Sequence, residues 1–173
     1  LESDDDVFGI SFDKALELLR APKQSRRRQA TQKKTLKELT AIESGSRELD
    51  QLDRIAGVIA GKFRSIGAKV ELIEPAESDM HRLSDTPDKV GKMVRATFTG
   101  TGARKILLLA HMDTVYPRGM LAQQPFRIEG DRAYGLGIAD DRHGIAVILH
   151  SLAMLKAIDF RDYGTITVFI NAD

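Results

Sequence analysis

Apolar residues recur at helical spacing between residues 48 and 66. Leu52, Ile55, Ala56, Ile59, Ala60 and Phe63 fall on one side, which predicts a helix with one buried face. A shorter run of the same kind, Leu36, Leu39 and Ile42, predicts a helix over 31–42, broken by Ser44-Gly45-Ser46. Gly67 suits the C-terminal cap of the longer helix. The period then changes. Residues 69–73 alternate as a strand, 74–88 form a polar loop with two prolines, and 92–99 form a second strand. Residues 105–110 are almost continuously apolar, as in a strand of the buried kind. Glu129-Gly130-Asp131 between two short apolar-polar segments predicts a hairpin. Ile145, Ile148, Leu149, Leu152 and Leu155 mark a helix over 141–156, and 165–170 reads as a last buried strand. Helices alternating with buried strands argue for an α/β layer fold.

Composition narrows the picture. At 173 residues, with 42% apolar and 29% charged, the chain can bury one core and is neither collagen-like nor largely disordered. No apolar run reaches the ~18 residues of a bilayer-spanning helix, so no membrane partner is expected. Twenty-six basic against 25 acidic residues leave a net charge of +1, which points at no polyanion. With no cysteine, disulfides, thiolate metal sites and a cysteine nucleophile are excluded. Charge is nevertheless uneven. Residues 1–6 are acidic and 20–34 strongly basic, so residues 1–30 read as a charged tail with a short helix near 12–19, and 31–173 as the globular part. The basic run has no interleaved aromatic residue, and a solvated helix face explains it better than a nucleic-acid partner. The chain starts at Leu1 and stops in the strand 165–173 with no closing element, so it is expected to be part of a longer polypeptide. A missing initiator methionine and no cysteine fit a periplasmic protein with its leader removed. They also fit a trimmed cytoplasmic chain, and the periplasm is slightly favoured.

Three polar clusters sit where such a fold places ligands. His111-Met112-Asp113 follows the strand 105–110, Asp140-Asp141 precedes the helix 141–156, and Asn171 and Asp173 follow the last strand. Beyond the carboxyl ends of strands in open α/β sheets lies the usual ligand crevice. Imidazole and carboxylate suit zinc. On an extended segment His111 and Asp113 point to the same side, so one can bind a metal while the other orients it. By itself His-x-Asp is weak, and from spacing alone ordinary loop residues explain it better than a metal site. Gly135-Leu136-Gly137 lacks the third glycine of a dinucleotide loop. His143 and His150 read as packed or solvated, and His81 has no assigned role.

The stretch Leu107-Leu108-Leu109-Ala110-His111-Met112-Asp113-Thr114-Val115-Tyr116 resembles the first metal motif of the M20 zinc metallopeptidases. Residues 135–141, GLGIADD, resemble their second, and 161–173 resemble the strand that leads into the third. Within the family the likeness is strongest to the glutamate carboxypeptidases. The resemblance implies an open mixed sheet flanked by helices, the N-terminal part of a phosphorylase/hydrolase-like zinc-peptidase catalytic domain, truncated here. It implies two zinc ions, with His111 a ligand of one, Asp140 bridging both and Asp113 the catalytic acid beside His111. It also implies a cis peptide between Asp140 and Asp141. The implied substrate is a peptide or folate-like molecule with a C-terminal glutamate, and the implied full-length assembly is a homodimer. The general-base glutamate and the remaining ligands are expected beyond Asp173, so the chain alone is expected to bind zinc weakly and to be inactive. Where the family usually has Lys-Gly-Gly, this chain has Arg142-His143-Gly144. The competing expectation is a non-catalytic truncated product acting as a binding or assembly module through an uncovered final strand.

Overall fold

The computed structural model describes residues 22–76 and 87–172, the side chains from residue 26 onward. The helix expected near 12–19, His81 and Asp173 lie outside the described residues. The elements in chain order are α1 (Pro22–Thr40), α2 (Leu49–Ser65), β1 (Lys69–Ile73), β2 (Met93–Thr99) and β3 (Lys105–His111). A short α3 (Met120–Gln123), β4 (Arg127–Glu129), β5 (Arg132–Tyr134), α4 (His143–Ala157) and β6 (Thr165–Asn171) follow. Helix α1 starts earlier than the apolar spacing predicts and takes in much of the basic run. Arginine, lysine, glutamine and alanine all favour helix, and proline is tolerated in a first turn, so polar residues extend the helix without a buried stripe. Residues 22–30, assigned to a tail by charge, are thus the opening turns of α1.

The main sheet has the order β1-β2-β6-β3. β1, β2 and β6 pair antiparallel, and β3 pairs parallel with β6, so the sheet is mixed. Val94, Ala96 and Phe98 of β2 lie beside Ile170, Val168 and Ile166 of β6 on one face. That face packs on the apolar sides of α2 and α4, with Leu52, Ile55, Ile59, Phe63, Ile145 and Leu149 in one core. Phe63 and Phe98 meet edge to face with ring centroids 6.5 Å apart. Fully burying each such side chain contributes about 1.5–3 kcal/mol.

Two expectations about the strands are corrected. β3 is not buried on both faces: Leu107 and Leu109, on the face away from the helices, are 58% and 64% exposed. A short apolar run does not reveal whether one face or two are covered. β6 is not an uncovered final strand either. It lies between β2 and β3 and pairs along its whole length, because the parallel β3 returns to its outer side. The edges of the described sheet are β1 and β3. Parallel pairing has a functional result. His111 lies opposite Asn171, so the carboxyl ends of β3 and β6 emerge side by side on one rim.

Candidate metal centre

His111 closes β3, and the chain leaves the sheet through Met112 and Asp113. Its first step is still held by β6, because Met112 N–H donates to the Asn171 carbonyl at 2.8 Å. Asp113 then turns back onto the imidazole. Its Oδ1 lies 2.9 Å from His111 Nδ1, while its Oδ2 accepts from Ser46 Oγ at 2.7 Å. On the other side of the ring, His111 Nε2 lies 2.9 Å from Asp140 Oδ1. The structure therefore brings His111, Asp113 and Asp140 together, one carboxylate at each ring nitrogen.

Asp140 comes from a kinked turn over Ile138–Arg142 that feeds into α4, where Asp140 (φ −139°, ψ 90°) and Asp141 (φ −130°, ψ 32°) depart from helical geometry. The peptide between Asp140 and Asp141 is cis, as the resemblance implies. The turn is entered through Gly137 at φ 62°, a left-handed conformation that favours glycine. A Cβ there would also stand 2.5 Å from Thr114 Cγ2, so the turn packs directly against the segment that follows Asp113. Asp141 faces elsewhere. Its Oδ1 accepts the N–H of Gly144, in the first turn of α4, at 3.1 Å.

The segment 112–114 is fixed from behind by Ser44-Gly45-Ser46, which sequence spacing shows only as a helix break. Thr114 N–H donates to the Ser44 carbonyl at 2.7 Å, and Gly45 bridges to Thr114 in parallel. Ser44 Oγ donates to the Met112 carbonyl at 2.7 Å. Arg142, 1% exposed, donates from one terminal nitrogen to that same carbonyl and from the other to Ser44 Oγ. Among the described residues its Nε has no hydrogen-bond partner. Burial pushes the Arg142 pKa down to about 10, against the opposing pull of Asp113 and Asp141. The guanidinium remains charged near neutrality.

The donor set fits a cation. Partial burial opposes the charged form of His111, and hydrogen bonds to Asp140 and Asp113 outweigh it, so its pKa stands above the ordinary imidazole value. Each carboxylate favours a proton on the ring nitrogen that it faces. With Nδ1–H donated to Asp113, the Nε2 lone pair faces Asp140, and a metal ion can take the place of the second proton. A metal at Nε2 would complete a carboxylate–histidine–metal arrangement, which fixes tautomer and ring orientation. The 2.9 Å gap is close to the ~3.3 Å between two donors on a zinc tetrahedron with bonds near 2.0–2.1 Å. His111 and Asp140 supply only two donors, and among the described residues no group of three or more metal-binding side chains converges. His143 is exposed, and His150 is turned away to Thr35 Oγ1 at 3.0 Å. A cleft lined by Gln124, Arg127, Tyr134, Gly135 and Ile138 lies next to the Asp140 turn.

Comparison with known proteins bears on this geometry. The model of peptidase family M20/M25/M40 matches residues 107–173, which hold the His111, Asp113 and Asp140 motifs. Carboxypeptidase G2 of Pseudomonas sp. (strain RS-16) is 41% identical over 140 residues, 81% of this chain and 31% of that protein. The chain thus spans about a third of the length of this relative. Human carnosine dipeptidase 1 superposes with a TM-score of 0.71 at 18% identity, covering 90% of this chain and 34% of that one. An M20 family metallo-carboxypeptidase from Sulfolobus solfataricus superposes with a TM-score of 0.65 at 18% identity, covering 82% and 30%. The structural likenesses speak for the fold, and the sequence matches for descent. With its motifs in order and the mixed sheet that carries them, the chain belongs to peptidase family M20/M25/M40.

Proposed function

We propose that this chain is part of the catalytic domain of a di-zinc carboxypeptidase that removes a C-terminal glutamate from a peptide or folate-like substrate. The observation that supports it most directly is His111 held between two carboxylates, with Nε2 and Asp140 Oδ1 2.9 Å apart at the ends of a strand and a turn. His111 and Asp140 would hold metal, with Asp140 open enough to serve two ions: its side chain is 83% exposed. Asp113, 12% exposed, would keep Nδ1 protonated and Nε2 free to bind. Zinc in such a site polarises a carbonyl and makes water a better nucleophile near neutral pH. Zinc takes about four donors, so the remaining donors and a general base come from outside the described residues. The likeness to carboxypeptidase G2 supports the carboxypeptidase reading, and glutamate as the residue released is part of this proposal.

The test uses the natural full-length polypeptide carrying this sequence. Incubated with peptides that differ only in their C-terminal residue, it releases glutamate in preference. A strong chelator abolishes release and added zinc restores it. Undiminished release after verified removal of all metal would refute the metal reading. Equal release of unrelated C-terminal residues would refute the glutamate preference alone. In the same assay the 173-residue chain by itself releases no glutamate.

A further inference from the structure

Arg142 is among the most deeply buried side chains in the described structure, and it lies beneath the site rather than in it. A buried guanidinium is costly unless its surroundings hold it, and this one has an Nε without a partner among the described residues. The reason for its presence lies in what its two terminal nitrogens reach. Both converge on the Met112 carbonyl and on Ser44 Oγ, which itself donates to that carbonyl. Met112 is the residue between His111 and Asp113. The orientation of its peptide therefore sets how the Asp113 carboxylate meets the imidazole. Arg142 is also the last residue of the turn that carries Asp140. One side chain thus spans from the Asp140 segment to the His111–Asp113 segment.

We propose that Arg142 is a positioning residue that sets the spacing between His111 and Asp140 and so tunes metal affinity. This inference rests on the metal-site reading above. A purely electrostatic role has the opposite sign, because removing a cation from beside a divalent metal site tightens metal binding. Lysine keeps a charged donor that can reach one of the two oxygens. Glutamine keeps donors but no charge.

The test compares the full-length protein with R142Q, R142K and S44A. Zinc affinity is measured by competition with a chromophoric chelator, and site geometry by the visible spectrum of the cobalt-substituted protein. The melting temperature of each metal-free variant reports any general loss of structure. R142Q is expected to weaken zinc binding about 10- to 100-fold, in the range for residues that orient metal ligands, and to alter the cobalt spectrum. R142K recovers most of the affinity, and S44A shows a smaller loss in the same direction. Unchanged or tighter zinc binding with an unchanged cobalt spectrum in both R142Q and S44A would overturn the proposal. If R142Q fails to fold, S44A decides the matter: wild-type affinity and an unchanged spectrum there refute it. H111N separates the two readings, since a protein that binds zinc equally well without His111 refutes the metal site itself.

Discussion

His111 and Asp140 meet at 2.9 Å, yet they are held in opposite ways. His111 stands on a strand end paired with β6, and the next residues are tied to Ser44, Ser46 and Arg142. Asp140 stands on a five-residue turn, its side chain 83% exposed. The contrast suits a metal site. A histidine binds through one nitrogen lone pair and must be aimed, whereas a carboxylate has two oxygens and can adapt to one cation or two. Rigidity is placed where direction matters.

The largest effects should come from removing the donors themselves, and they should differ in kind. If a four-donor zinc site binds with about 10–16 kcal/mol, each donor accounts for roughly 10²–10³-fold in affinity. H111A and D140A should each lose about that much, read by chelator competition. Only D140A should leave the metal-free melting temperature nearly unchanged, as surface substitutions stay within about ±0.5 kcal/mol. If D140A destabilised the metal-free protein as much as H111A, the contrast between a fixed arm and an open arm would be wrong.

Next come the groups that aim His111. D113A leaves both Ser46 and the Nδ1–H without their acceptor, at a cost of about 1–3 kcal/mol. That corresponds to roughly 2–12 °C in melting temperature for a chain of this size. D113N should weaken zinc binding about 10- to 100-fold with a smaller thermal effect. G137A tests the contact between the two arms. Its Cβ would stand 2.5 Å from Thr114 Cγ2 at a φ of 62°. A loss of about 1–3 kcal/mol is expected in chemical denaturation. No loss would mean that the turn does not lean on the fixed arm.

The smallest effect lies far from the metal. Burial and the nearby Lys62 charge lower the His150 pKa, so the unfolded chain takes up the proton first as pH falls. The stability that depends on neutral His150 is complete above its unfolded value near 6.5 and is lost as pH drops below that toward the lowered folded value. H150Q should flatten this part of the stability–pH profile. An unchanged slope would assign it to other groups.

Much of this was legible in the sequence because it is written locally. The spacing from Leu52 to Phe63 predicts α2 within a residue or so at each end, and β1, β2 and the β4–β5 hairpin fall where alternation and turn residues place them. His111, Asp113 and Asp140 stand out because their motifs are contiguous. The contacts of Ser44, Ser46 and Arg142 did not, since they join residues 68, 67 and 98 positions apart and leave no periodic trace. The exposure of Leu107 and Leu109 was equally hidden, because a strand's own residues do not say what lies over its second face.

Those long separations also govern timing. The contact of Arg142 with Ser44 closes a loop of 98 positions, and that of Ser44 with Met112 one of 68. Each closure must overcome chain entropy before it returns any energy. The Ser44–Met112–Arg142 triangle is therefore expected to close late in folding, after α2 and the β1–β2 pair, whose contacts are nearer in sequence. Loosening it should speed unfolding while leaving the folding rate nearly untouched. The contacts that aim His111 would thus act as a latch on the finished fold.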